Sequence, residues 1–272
     1  MSFSGRKRHR QSNGVLFVVV ILAFSAARGC GKPDSGTSTQ QRRSPVSTPV
    51  QNPIEDVLRP VAPAQLREGI VAAILVDTSG SMKGTVLDAD GVQQPKIAIA
   101  QRAALNLVNQ FDTYAREHAD QTIFLGIYEF SERGKGPSSR TVINLGPPDV
   151  AAARSAIQKI RASGDTPIGD AMIKAKRDLD ATGLSKRHIL VITDGENTTG
   201  YSPVDVTRVI SAQTENARAS IYFVAFDVAA EKFNSVRDSG GLILAASNET
   251  DLKGTLDYLL TGKILAEQPE PR

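Results

Sequence analysis

Three short stretches of the 272-residue chain hold side chains whose types and spacing suit the binding of a hard cation. The first is DTSGS, with Asp77, Ser79 and Ser81; the second is GDTP, with Thr166; the third is TDGEN, with Asp194. Together they offer two carboxylates and three hydroxyls, with neither His nor Cys in the set. Donors of oxygen alone suit Mg²⁺, Mn²⁺ or Ca²⁺ and disfavour zinc and copper. Residues two apart in an extended segment point to the same side, so Asp77, Ser79 and Ser81 can face one ion. An octahedral ion needs six oxygens, and water fills what the protein leaves open. One open position could take a carboxylate from another molecule, which recognises an acidic group without a basic pocket. Any single Asp or Ser after a strand can simply cap a turn. The conjunction of all five points to an ion.

Those residues need elements that bring them together. IVAAILV (70–76), TIFLGIYEF (122–130), HILVIT (188–193), SIYFVAF (220–226) and LILAA (242–246) read as strands, with RTVINL (140–145) as a short edge strand. Helical spacing covers 96–118, 149–162, 167–182, 202–218, 230–240 and 248–267. Pro167 stands in a first helical turn, and Ser202 and Pro203 are placed as N-cap and first residue. The central strands are apolar throughout rather than at every second residue, as strands covered on both faces are. Alternating strands and helices then predict a three-layer α/β fold, doubly wound. Its central sheet is mostly parallel, with one short antiparallel edge strand and helices on both faces. Ligands of such sheets bind outside the carboxyl ends of the strands, where Asp77, Thr166 and Asp194 fall.

DTSGS, then the Thr of GDTPIGDA, then the Asp of ITDGEN resembles the metal-ion-dependent adhesion site of von Willebrand factor A domains, which are Rossmann-like in fold. The resemblance covers roughly residues 69–266, including the order of strands and helices. It implies that Ser79, Ser81 and Thr166 contact the ion directly or through water, while Asp77 and Asp194 hold charge and bound water. It also implies that Gly80 permits the tight loop and that Gly195 relieves crowding after Asp194. The implied cofactor is a divalent cation, Mg²⁺ first, with Mn²⁺ or Ca²⁺ as alternatives. The implied partner is a protein that presents an acidic residue.

Other chemistries find less support. An Asp that ends a first strand also occurs in phosphatases with an aspartyl nucleophile, but the place of their second acid holds Ser79. DTSGSMKG is not the glycine-rich turn of a dinucleotide site. The three histidines, His9, His118 and His188, belong to a leader, a helix end and a strand start, and assemble no Ser-His-Asp set. DADG (88–91) lacks the later ligands of a calcium loop and reads as a turn bordering the site. ERGKGPSSR (132–140) reads as a basic, solvated loop. No catalytic residue is expected.

The net charge of +3 is unevenly spread. Residues 1–68 hold ten Lys or Arg against four Asp or Glu, a surplus of six, which leaves −3 for the rest. A mildly acidic domain removes the main electrostatic argument for nucleic acid. SGRKRHRQSNG followed by VLFVVVILAFSAA (15–27) has the form of a signal peptide, shorter than the ~20 residues of a membrane span. AARGC resembles a bacterial lipobox and makes Cys30, the only cysteine, the candidate for lipidation; a retained anchor is the alternative. The expected organisation is a leader over 1–30 and a disordered Pro/Ser/Thr-rich linker over 31–67. The domain follows over 68–267, with a tail over 268–272. The expected protein is a metal-dependent, adhesion-type binding module, extracytoplasmic and anchored to a bacterial membrane through its N-terminus. A constitutive scaffolding subunit of a cell-envelope complex is the alternative, with a metal-dependent phosphohydrolase third.

Overall fold

A computed structural model describes residues 53–59 and 66–267. The leader, Cys30, most of the linker and the tail lie outside the described residues.

After a short helix α1 (Pro53–Val57), strand β1 (Arg67–Asp77) leads into a 3-10 turn (Gly80–Lys83) and a small hairpin, β2 (Thr85–Leu87) and β3 (Gln93–Pro95). Helix α2 (Lys96–Glu117) precedes β4 (Ile123–Phe130), β5 (Ser139–Gly146), α3 (Val150–Ile157) and α4 (Ile168–Thr182). Then come β6 (Leu184–Thr193), α5 (Pro203–Ser211), β7 (Ser220–Phe226), α6 (Asn234–Asp238), β8 (Leu242–Ala246) and α7 (Glu249–Leu259). A π-helical turn (Leu260–Ile264) ends the domain.

The six-stranded sheet has the order β5-β4-β1-β6-β7-β8. β1 pairs in parallel with both β4 and β6, the ladder continues in parallel to β7 and β8, and β5 alone runs antiparallel, against β4. This is the doubly wound, mostly parallel α/β architecture expected of a von Willebrand factor A-like fold. From β1 the chain passes to β4 on one side; from β6 it passes to β7 on the other. The connections therefore diverge above β1 and β6, and the crevice between their carboxyl ends is where such a sheet binds ligands.

The apolar strands owe their composition to two cores. Ile70, Ala72, Ile74 and Val76 of β1 pack with Ile99, Leu107 and Phe111 of α2 and with Leu252 and Leu256 of α7. Val71, Ala73 and Leu75, on the opposite face, pack with Ile168, Met172 and Leu179 of α4 and Val206 and Ile210 of α5. Asp77 continues this second series past the last apolar residue, so strand periodicity itself aims it toward α4.

Four expectations change. Part of the stretch expected as disordered linker is α1, whose Ile54 and the following Leu58 are buried in the second core, with Gln213 Nε2 donating to the Leu58 carbonyl at 2.9 Å. The two apolar residues stand four apart, enough for one helical turn to bury both. Residues 85–95 form a hairpin that the polar sequence hid. The helix expected over 202–218 stops at Ser211, because Thr214 turns the chain by accepting from Ala217 N and Arg218 N. The helix expected over 149–162 stops at Ile157.

Candidate metal centre

The crevice above β1 and β6 is lined by side chains that three loops deliver. Asp77 is the last residue of β1 and fully buried. Its Oδ1 accepts from Ser79 N at 2.7 Å and its Oδ2 from the Thr193 hydroxyl at 2.6 Å. Thr78 points the other way, and its hydroxyl lies 3.1 Å from Phe130 O and 3.0 Å from Ser131 Oγ, within hydrogen-bond reach of both. Ser79 keeps extended dihedrals, so the alternation holds from Asp77 to Ser79. It does not extend to Ser81: the chain enters the 3-10 turn at Gly80, and that turn carries the Ser81 side chain back to the same side. Ser81 Oγ lies 3.0 Å from Ser79 Oγ and donates to Asp194 Oδ1 at 2.6 Å. Since Ser81 has one hydrogen and gives it to Asp194, Ser79 is the donor between the serines.

The loops are tied to one another through backbone. Ser163 N donates to Thr78 O at 2.7 Å and Gly80 N to Gly164 O at 2.8 Å, which docks the loop of Thr166 on that of Ser79. Thr166 N donates to Thr198 Oγ1 at 2.8 Å, and Thr198 N to Thr166 O at 3.0 Å. Pro167, at the N-cap of α4, offers no side-chain acceptor. Asn197 supplies it from the next loop, its Oδ1 accepting from Ile168 N and Gly169 N at 2.8 and 3.3 Å. Those bonds meet the orphan donors of a helix start and fix the Asp194 loop against Thr166. Thr166 is nearly buried, and among the described residues no hydrogen bond forms on its hydroxyl.

The structure thus links Asp77, Ser79, Ser81 and Asp194 through side-chain and backbone bonds and brings Thr166 to the same rim by its loop. Neighbouring oxygens of an octahedron with ~2.1 Å bonds stand about 3.0 Å apart. The Ser79 and Ser81 hydroxyls have that separation. Among the described residues no group of three or more His, Cys, Asp or Glu gathers as a metal cluster, so a cation here must rely on hydroxyls and water. Burial pushes the Asp77 carboxyl up to about 6, against the pull of the bonds from Thr193 and Ser79; nearby Asp194 adds a smaller push. A buried carboxylate of that kind gains from a cation that neutralises it. The donor set therefore fits a hard divalent ion.

The glycines differ from the expectation. A Cβ on Gly80 would meet Gly164 O at 3.5 Å, and one on Gly195 would meet Ser81 Oγ at 3.8 Å, both ordinary contacts. Space demands neither. Gly164 is the required one: φ is +88° and a Cβ would lie 2.0 Å from Glu132 O, so only glycine lets the Thr166 loop close on β4's extension.

Two charged residues were missed. Lys96, the first residue of α2, lays its nearly buried side chain over Gly84 and places Nζ 3.0 Å from Asp194 Oδ2 and 2.7 Å from Asp227 Oδ2. Burial acts to lower the Lys96 ammonium, but the Asp227 and Asp194 carboxylates outweigh it and hold the pKa above its ordinary value. Asp227 follows β7 directly, with φ +52°, the one positive φ outside glycine among the described residues. Both carried a signal in the sequence. Asp227 sits at a strand's carboxyl end, the position that pointed to Asp77 and Asp194. A lysine opening a helix with no acid in its first turn opposes the helix dipole.

A family model for the von Willebrand factor type A domain matches residues 72–196. No curated protein gives a significant match. Among solved structures, the chain is similar to von Willebrand factor type A from Catenulispora acidiphila. The identity is 20%, over 71% of this chain and 42% of that one, with a TM-score of 0.53. The PilB minor pilin from Streptococcus sanguinis is 13% identical over 76% of this chain and 65% of its own, TM-score 0.55. The vWF domain of the type V pili tip protein Mfa5 from Porphyromonas gingivalis is 11% identical over 76% and 99%, TM-score 0.55. The chain spans under half of the first of these structures, and identities this low speak to the fold. Residues 72–196 thus match the model of the von Willebrand factor type A domain, and the fold around them is similar to that of these structures.

Proposed function

We propose that this domain binds a protein partner through a divalent cation held by Asp77, Ser79, Ser81, Thr166 and Asp194, Mg²⁺ in the first place. An acidic residue of the partner supplies the last oxygen. The observation that carries the reading is the row of hydroxyls and carboxylate from Ser79 through Ser81 to Asp194, at 3.0 and 2.6 Å, on the ligand-binding rim of the sheet. The serines and Thr166 are neutral, so they can hold the ion without cancelling its charge, and a carboxylate from outside completes the balance.

Binding is favoured over catalysis. Both oxygens of Asp77 already accept, from Ser79 N and Thr193 Oγ1, and the carboxylate is fully buried, which suits holding charge at the rim more than attacking a substrate. The neighbouring position of an acid–base partner holds Ser79.

Display outside the cell is part of the proposal. It draws on the leader and Cys30, and on the pilus tip protein and minor pilin that share the fold. The test is calorimetric titration of the full chain with Mg²⁺ and Mn²⁺, beside Ser79→Ala. Saturable binding by the wild type and its loss in Ser79→Ala are expected. Equal binding by the variant would overturn the site.

A further inference from the structure

Two local rules are broken at one ion pair. Lys96 puts a positive charge at the positive end of the α2 dipole, where the first turn has no acid to offset it. Asp227 takes a left-handed backbone conformation that costs a non-glycine residue free energy. Their side chains meet at 2.7 Å. Features of this kind persist where something else depends on them. What the pair shares is Asp194: Lys96 Nζ also lies 3.0 Å from Asp194 Oδ2, while Asp194 Oδ1 faces the serine row. The two carboxylates divide the lysine unequally. Asp227 is closer but its side chain is 41% exposed, so water screens it; the Asp194 side chain is fully buried and feels the ammonium more strongly.

Resting on the reading of the rim as a divalent-cation site, we infer that Lys96 is a built-in competitor for Asp194. It withholds part of that carboxylate's charge from a bound ion, so the loaded site keeps a positive surplus that an anionic group of the partner removes. Asp77 and Asp194 carry two negative charges; Lys96 returns the part of its one charge that Asp227 does not take. A divalent ion in that setting is left with a fraction of a positive charge in excess, because screened, half-exposed Asp227 cancels only part of the ammonium, and a partner's carboxylate removes that surplus. Without Lys96 the two acids would neutralise the ion by themselves, and binding of the ion would no longer favour the partner. Asp227 sets the division: it draws the ammonium partly away from Asp194 and so keeps the ion's affinity from falling further.

The experiment uses the full chain, Mn²⁺ as the ion and acetate as the carboxylate probe, read by calorimetry with and without acetate. Wild type is expected to bind Mn²⁺, and acetate to tighten it. Lys96→Gln, which keeps hydrogen-bond donors and loses the charge, is expected to bind Mn²⁺ about tenfold more tightly and to respond to acetate about threefold less than wild type. Asp227→Asn is expected to shift the opposite way, binding Mn²⁺ about threefold more weakly with the acetate response kept or enlarged. A merely structural Lys96 would lower the unfolding midpoint without changing the response to acetate. The inference is overturned if folded Lys96→Gln binds Mn²⁺ no more tightly than wild type, or if its acetate response is unchanged. Should Lys96→Gln fail to fold, Asp227→Asn decides alone, and equal or tighter binding there overturns it. Wild type that is folded and binds no Mn²⁺ with or without acetate overturns the cation site itself, which separates that failure from this one.

Discussion

Two lysines with nearly buried side chains stand at opposite ends of the sheet, and they are held in opposite ways. Lys176, on the face of α4, has no exposed side-chain surface and reaches Asp180 one turn on, at 2.5 Å. Arg187, near the start of β6, approaches the same carboxylate at 3.5 Å and donates to Asn216 O. Burial holds Lys176 below its ordinary pKa, with Asp180 opposing. Lys96, at the carboxyl ends of the strands, stays above its ordinary pKa because two acids outweigh its burial. The first cluster has more cations than acids, and its acid is shared within one helix and the adjoining strand. The second gathers two acids, Asp194 and Asp227, from two separate loops around one cation, and its negative charge exceeds its positive charge. Burial alone does not mark a functional site. An excess of one sign, assembled from distant segments at the ligand-binding rim, does so better.

The sharpest break of this comparison comes from Asp180→Ala. It leaves Lys176 and Arg187 buried without their acid and should cost about 3–5 kcal/mol in denaturant unfolding, with Mn²⁺ affinity unchanged. A loss of ion affinity there would mean that the two ends are not independent. Asp77→Ala should do the reverse. Ion binding should weaken by at least about a hundredfold, roughly 2.7 kcal/mol, in calorimetry. Stability in ion-free buffer should move by no more than ~1 kcal/mol, since relief of a buried charge offsets the lost bonds to Ser79 N and Thr193 Oγ1. A collapse of the fold would make Asp77 a structural residue like Asp180.

The last effect is read from acid and is absent at neutral pH. His188, fully buried below Tyr222, is pushed down to about 3 by burial, with Lys186 adding to it. Its folded pKa lies below its unfolded value of 6.5, so the unfolded chain binds the extra proton between those values. His188 therefore costs no stability above pH 6.5 and takes away about 1.4 kcal/mol per pH unit as pH falls toward 3. Glu267, 3.8 Å from His188 Nε2, is raised by burial and works the other way on acidification. Unfolding followed from pH 7 to 4 should show a shallower decline in His188→Gln than in wild type. Parallel curves would remove His188 from the account.

How much of this the sequence revealed depended on which interactions were local. Strands covered on both faces must be apolar at every position, so Ile70 through Val76 and Ile189 through Ile192 declare themselves. The places of Asp77 and Asp194 were legible for a related reason: a strand's end fixes where its last and next residues lie. The hairpin of β2 and β3 stayed hidden because its partners are each other and its residues are mostly exposed. Asn197 as cap of α4 and Lys96 as neighbour of Asp194 are contacts 29 and 98 residues apart in sequence, set by packing that no window of residues contains.

The docking of α1 has a mechanical consequence. If the chain is held at its N-terminal end and its partner pulls at the rim, tension arriving at Pro53 meets Ile54 and Leu58 first, seated in a small contact on the flank of the domain. That contact can peel like a fastener. The next anchored element is β1, whose two ladders to β4 and β6 would have to shear together. Peeling residues 53–59 would free a contour of about 24 Å at ~3.4 Å per residue, before any load distorts the strand that ends at Asp77. In a force ramp this would be a small early step ahead of the main rupture, absent in Ile54→Ser/Leu58→Ser. Held in that way, the domain would give way by a fixed length before its rim is loaded.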